Sequence, residues 1–308
     1  MYIRPCDIET SGKEPTDEVL EIGRYDIIDG NLDLASGHCQ FVRPARTIPP
    51  SASAIHHITD DDVADASPWA DAWRGLVNNH NLPMAGVEVV YAAHFAQFER
   101  QWLDPLIKAR WIDTWRCALK QWPGLESHSL QSIRYELGLP ADPVLAFPPH
   151  RALPDAYVCG LLVIELLKHQ SAETLIAWSS EPPFFTKFDF GKFSGKPLSA
   201  ADDGWLDWYL NKATETNPDW RHNLLLEVER RAAVKRQARI KKWLDGVALA
   251  ATVRDLENWW HGEAEAFAAA GIIPGTEEYA SLVSAAAARK VVLLAAPGPV
   301  FETSGAPA

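Results

Sequence analysis

The chain has 308 residues, 47% hydrophobic and 23% charged, which is ordinary for a soluble globular protein and long enough for one large domain or two. A formal net charge of -12 argues against a surface that coats nucleic acid all over, because phosphates are met by Lys and Arg, yet it allows a local basic groove beside an acidic site. There is no apolar run of membrane-spanning length, no signal-peptide order in MYIRPCDIE, and no CxxC pair among Cys6, Cys39, Cys117 and Cys159, so a cytoplasmic protein without zinc or a disulfide framework is expected.

An opening strand is followed by DEVLEIGRYDIIDG, whose alternation through Leu20, Ile22, Tyr25 and Ile27 and closing Asp29-Gly30 predict a hairpin into a third strand, HCQFVRP. SPWADAWRGLVNNHN has helical spacing, and VEVVYAAH reads as a short strand in a covered sheet. From Phe95 a helix is predicted, with Phe98, Trp102 and Leu106 on one side and a break at Asp104-Pro105. PPHRALPDAYVCGLLVIELLKHQ closes the region with a helix apolar nearly all round, which should be buried. Hairpins followed by alternating helices and strands indicate an α/β domain with a mixed sheet, spanning residues 1–170.

A linker is expected over 171–185 and a compact module over 186–232, glycine-rich turns first and helical spacing after. Residues 233–308 are read as a basic, then Ala-rich helical tail whose last segment, APGPVFETSGAPA, is expected to be disordered. Between Arg230 and Lys242 there are seven basic residues and no acid; on a helix Arg231, Lys235, Arg239 and Lys242 share a face. That stripe fits a nucleic-acid backbone or a merely solvated face equally well.

The residues that carry chemistry lie in three segments. In Asp7-Ile8-Glu9 a strand turns Ile8 inward and sets the two carboxylates side by side on the other face, where they repel unless a cation lies between them. AHFAQFERQWL places Glu99 in the first turn of a helix that follows a buried strand. In PPHRALPDAYV, Pro154 suits the first turn of the buried helix, and His150 and Asp155 would point about 140° apart on one regular helix, so His150 belongs to the preceding loop. Carboxylates gathered from separate segments suit divalent ions that stabilise charge in phosphodiester cleavage, and a movable histidine suits proton transfer from water.

DIETSG at 7–12, AHFAQFE at 93–99 and HRALPD at 150–155, with EVLEIGRYDI, IHHITDDDVADASPW and IDTWRCALKQWPGLESHSLQSIRYELGL between them, resemble the motifs of the DEDDh family of 3′-to-5′ exonucleases, DnaQ-like enzymes with a ribonuclease H-like fold. FGKFSGKPLS followed by GWLDWYL resembles the small C-terminal module of the exodeoxyribonuclease X-like subfamily. The resemblance implies a mixed sheet flanked by helices and hydrolysis of DNA, preferably single-stranded, to 5′-mononucleotides. It implies two Mg2+ ions, with Mn2+ as a substitute, held by Asp7, Glu9, Glu99 and Asp155, Asp7 bridging both. His150 becomes the general base, and Thr10 holds the terminal nucleotide. The second motif departs from the family, which usually has Asp in place of Glu99 and commonly Asn in place of Phe95.

Two further readings stay open: a nucleic-acid-binding module whose activity was lost through the changes at 95 and 99, and an exonuclease acting on RNA. His56 and His57 are read as loop and packing residues, and most of the 13 tryptophans, Trp102 and Trp208 among them, as core.

Overall fold

Residues 1–78, 87–214 and 216–295 are described by a computed structural model; the closing segment read as disordered lies outside them. The chain opens with β1 (Tyr2–Thr10), β2 (Val19–Ile28) and β3 (Asn31–Arg43), an antiparallel meander. Asp29 and Gly30, both at positive φ, make the turn between β2 and β3. β3 starts directly at that turn and so runs longer than HCQFVRP alone suggested. Two short helices, α1 (Pro50–His56) and α2 (Asp60–Val63), close over Leu20 through Ile48, Ala52, Ile58 and Val63. The two-residue strand β4 (Ser67–Pro68) and α3 (Trp69–Val77) come next. α3 occupies only part of the predicted helical stretch, whose last residues, 79–81, lie outside the described ones.

The parallel half of the sheet is supplied by β5 (Val89–Ala93), then α4 (Gln97–Leu103), which stops before Asp104-Pro105, then β6 (Trp111–Asp113). The order is β4-β3-β2-β1-β5-β6, with β1, β5 and β6 mutually parallel and β2 antiparallel to both neighbours. α5 (Thr114–Gln121), α6 (Leu130–Glu136), α7 (Ala152–Leu167) and α8 (Ala172–Ser180) complete this part. One face of the sheet packs Ile3, Tyr25, Ile27, Val90, Ala92 and Ile112 against α5 to α8. The other packs Cys6, Ile8, Ile22, Tyr91 and Ala93 against Ala72 and Leu76 of α3 and Trp102 and Leu103 of α4.

With both faces covered, β2 is buried along almost its whole length, including the positions that alternation assigned to solvent. Its buried charges are therefore paired. Asp26 takes Arg4 at 2.6 Å and Arg24 at 2.9 Å, and Arg4 also donates to the Leu76 carbonyl at 3.0 Å, tying the sheet to α3. Ten residues of α7 are buried; Val158, Leu162, Val163 and Leu166 are completely so, each contributing about 1.5–3 kcal/mol. That burial holds α7 against β1 and β2 although both bring acids to the contact.

After α8 the backbone folds back on itself. Phe188 N–H donates to the Lys196 carbonyl at 2.9 Å and Gly195 N–H to the Phe188 carbonyl at 2.8 Å, with Gly191 and Gly195 at positive φ that a side chain would disfavour. Phe188 and Phe193 are buried there, Phe188 stacked on Trp220 at 5.4 Å. The described residues up to 200, with 217–222, form one compact unit, and those of 201–216 with 223–295 form a second.

In the second unit α9 (Asp203–Asn211) buries Leu206, Tyr209 and Leu210. Trp208 stands about 200° round the helix from Leu206 and is 49% exposed, so it is not the core residue its spacing suggested. The basic run is helical, within α10 (Pro218–Leu249). Five of its seven cations face acids: Arg230 on Glu227, Arg231 on Glu227 and Asp203, Lys235 on Asp203, Arg236 on Glu278 and Lys241 on Asp245. Most of the run, and Arg231 and Lys235 of the four cations on the shared face, are thus paired with acids, which favours the solvated-face reading. Ile240 and Trp243 pack with Phe267 of α11 (Val253–Ala269), Ile272, and Leu282 of α12 (Glu277–Ala295). No helix among the described residues is long and apolar enough to cross a membrane.

Candidate active site

Odd-numbered residues of β1 face α7, and the strand ends with Asp7 and Glu9 on that face. Opposite Asp7 in the β1–β2 ladder is Gly23, and a Cβ there would lie 2.3 Å from the Ala152 backbone carbon. Only glycine lets the start of α7 come this close. Opposite Glu9 is Glu21, whose Oε2 accepts from the Ala152 N–H and from Arg151 Nε, both at 2.9 Å, while Oε1 accepts from Arg151 Nη2 at 2.5 Å. Glu21 thus places an anion at the N-terminus of α7, where the helix dipole favours it.

The result is that Asp7, Glu9 and Asp155 each present an oxygen within 4.8 Å of the others. Asp155 is steadied from two sides: its Oδ2 accepts the His150 N–H at 2.8 Å and its Oδ1 accepts Gln131 Nε2 at 3.0 Å. Arg134 in turn donates to Gln131 Oε1 at 3.2 Å. The His150 side chain is exposed, on a loop residue at φ 59, as the sequence placed it.

Glu99 is buried in the first turn of α4, and its Oε2 has no hydrogen-bond partner. It does not join the three oxygens within the same 4.8 Å, but its charge bears on Asp7, and that of Glu9 bears on it. Thr10 is buried and donates its hydroxyl to the Gly12 carbonyl at 2.6 Å. His56 is buried with Nδ1 accepting from the Ile58 N–H, which is the loop role expected of it.

All four acids are held above the usual carboxylate range. Burial is the first cause for each; Glu9, Asp155 and Glu99 then push Asp7 up, and Asp155 and Glu21 push Glu9 to about 8 against the pull of Arg151. Asp113 and Glu9 add to the rise at Glu99. Asp155 rises less freely, because the His150 N–H and Gln131 favour its charged form. No Lys or Arg forms an ion pair with Asp7, Glu9, Glu99 or Asp155 among the described residues. A cluster made of carboxylate oxygens alone, with one further buried oxygen unpartnered beside it, fits a hard divalent cation.

Glu21, Gln131 and Arg151 support the site without having been singled out in the sequence. Asp113, buried at the N-terminus of α5 with its carboxyl pushed up to about 6 by burial, is a further acid facing Glu99. His94 is buried with both ring nitrogens engaged, Nδ1 with Thr114 Oγ1 and Nε2 with the His128 carbonyl, each at 3.0 Å; burial lowers it to about 4, so it is neutral and fixed.

A family model described as Exonuclease matches residues 6–162. The chain is 33% identical over 228 residues to exodeoxyribonuclease 10 of Escherichia coli (strain K12), covering 72% of this chain and 96% of that protein. It is 28% identical over 178 residues to DNA polymerase III subunit epsilon of Treponema pallidum (strain Nichols), covering 54% of this chain and 77% of that protein. A solved structure of exonuclease X in complex with 5′ overhanging duplex DNA shares 32% identity at a TM-score of 0.48, over 58% of this chain and 99% of that one.

Proposed function

The chain belongs to the exonuclease family, and from that premise we propose that it removes 5′-mononucleotides from the 3′ end of DNA, single strands preferred, with Mg2+ as the working ion and Mn2+ as a substitute. The observation that carries the reading is the trio of Asp7, Glu9 and Asp155 oxygens, drawn from a strand and a distant helix and, among the described residues, without an ion-paired Lys or Arg.

Asp7, Glu9 and Asp155, with the buried Glu99 nearby, would hold divalent ions, which when bound would stabilise charge on the attacking and leaving oxygens. His150 takes the proton of the attacking water on a ring nitrogen. Its exposed loop position lets the imidazole approach and withdraw, while the bond from its own N–H to Asp155 keeps the loop base in register. The Thr10 hydroxyl, its proton committed to Gly12, offers its lone pairs toward the terminal nucleotide. Glu21 and Arg151 hold the start of α7, and with it Asp155, at the end of β1.

On this reading residues 1–170 are the exonuclease domain, with α8, inside the stretch 171–185 expected to be a linker, packed onto its core through Leu175; 186–232 are a C-terminal module and 233–308 a basic, then Ala-rich tail, in a cytoplasmic protein. The test is mass analysis of a digest of single-stranded DNA in Mg2+. Stepwise loss of 5′-monophosphates from the 3′ end is expected, blocked by a 3′-terminal phosphorothioate; internal cuts or nucleoside 3′-phosphates would refute it.

A further inference from the structure

The carboxyl ends of the parallel strands β1, β5 and β6 lie along one edge of the sheet, the place where open α/β sheets bind ligands. β1 ends there with the metal-type carboxylates. The next strand, β5, runs out two residues before Phe95, and β6 ends two before Trp115.

The two rings meet edge to face with centroids 5.0 Å apart, and Trp115 meets Phe185 at 6.1 Å. Phe95 is 43% exposed and holds φ 70, a conformation disfavoured for a bulky side chain. A large ring kept at a left-handed corner, half in solvent, two residues beyond a buried strand, points to use by a ligand rather than to the core.

The turn that follows Phe185 also carries charge. The turn after Phe185 exposes Lys187 and Lys196, neither of which forms an ion pair among the described residues. The charge of Lys187 is felt at His128, whose carbonyl fixes His94, the neighbour of Phe95. In a chain of net charge -12 whose α10 cations are mostly neutralised by acids, unpaired lysines interleaved with aromatic rings single out this edge. Stacking faces flanked by ammonium groups match the bases and phosphates of an unpaired strand.

We propose that Phe95, Trp115 and Phe185, flanked by Lys187 and Lys196, form a track for the single strand on the 5′ side of the nucleotide held at the carboxylates. The track rests on the exonuclease reading and extends it with a binding surface away from the scissile bond. It makes affinity grow with strand length, because each added base gains a ring or a lysine.

The test uses the full chain carrying Asp7→Asn, so that the probe survives, and labelled oligothymidylates of about 3 to about 12 nucleotides, within the span of known single-strand sites. Affinity is expected to rise with length in this parent. Trp115→Ala or Phe185→Ala should weaken the long probe about fivefold or more, and the short probe less, with Trp115→Phe restoring the loss. The surface double variant Lys187→Gln/Lys196→Gln, which leaves the core intact, should flatten the salt dependence by about 1.4 logarithmic units, from about 0.7 per single-strand contact. Length and salt dependence identical to the parent in every variant would overturn the track alone; a parent that binds no strand of any length would overturn the exonuclease reading with it.

Discussion

Replacing Glu9 by Gln removes one charge from the acidic cluster at nearly constant shape, and its effect on the metal-free protein follows from the surroundings of that carboxyl. Burial, Asp155 and Glu21 raise Glu9 from 4.5 to about 8. A folded-state value above the unfolded one means that the associated stability is complete below pH 4.5 and is lost as pH climbs through about 8. At about 1.4 kcal/mol per pH unit the full loss is roughly 5 kcal/mol. Glu9 is partly exposed, and solvent screening brings the realised figure to about 2–3 kcal/mol. With about 2–4 °C per kcal/mol for a domain of this size, the shift in Tm is roughly 5–10 °C. Thermal unfolding with chelator present should therefore show Glu9→Gln more stable than wild type by that amount near pH 8.5, and about equal to it near pH 4.5. Added Mg2+ should raise the wild-type Tm most at the higher pH and the variant's less. Parallel Tm profiles for the two proteins across this range would refute the picture of mutually repelling, cation-seeking acids.

Asp7→Ala and Asp155→Ala are each expected to abolish nucleotide release while circular dichroism shows the fold retained; activity within about tenfold of wild type, some 1.4 kcal/mol, would remove either residue from the site. Glu99→Gln should lower turnover by about a hundredfold or more, whereas Glu99→Asp, which retains the charge, keeps measurable activity; a Gln variant that turns over like wild type at saturating Mg2+ would detach α4 from the chemistry. Gly23→Ala drives a methyl into the Ala152 backbone, 2.3 Å away. It should destabilise the protein by about 1–3 kcal/mol and, by shifting Asp155, slow hydrolysis, so an unchanged Tm and rate would contradict the close strand-to-helix approach.

The pair Asp7 and Glu9 was legible because a strand's two-residue period puts both on one face, and Asp155 because Pro154 and the apolar run fixed where its helix begins. Glu21 was not. Its alternation marks it as outward-facing, and only the packing of α7 over β2 turns that outward face into a second interior, where its partner Arg151 arrives from 130 positions further along the chain. Asp26 escaped for the same reason, its partners Arg4 and Arg24 being buried with it. The α10 cations looked free in a local window because several of the acids that pair with them, Asp203 and Glu278, come from other helices. Trp208 misled because helical spacing is shared by several faces, and Leu206, Tyr209 and Leu210 decided which one went inward.

The most direct measurement is label release from matched DNA and RNA single strands, tagged at the 3′ or the 5′ end, with Mg2+ and with chelator, for wild type and Asp7→Asn. Immediate release of the 3′ label from DNA in Mg2+ is expected, with late release of the 5′ label, slower action on RNA, and no release with chelator or from Asp7→Asn. Binding of these strands without label release in Mg2+ or Mn2+, or release that persists in Asp7→Asn, would contradict it.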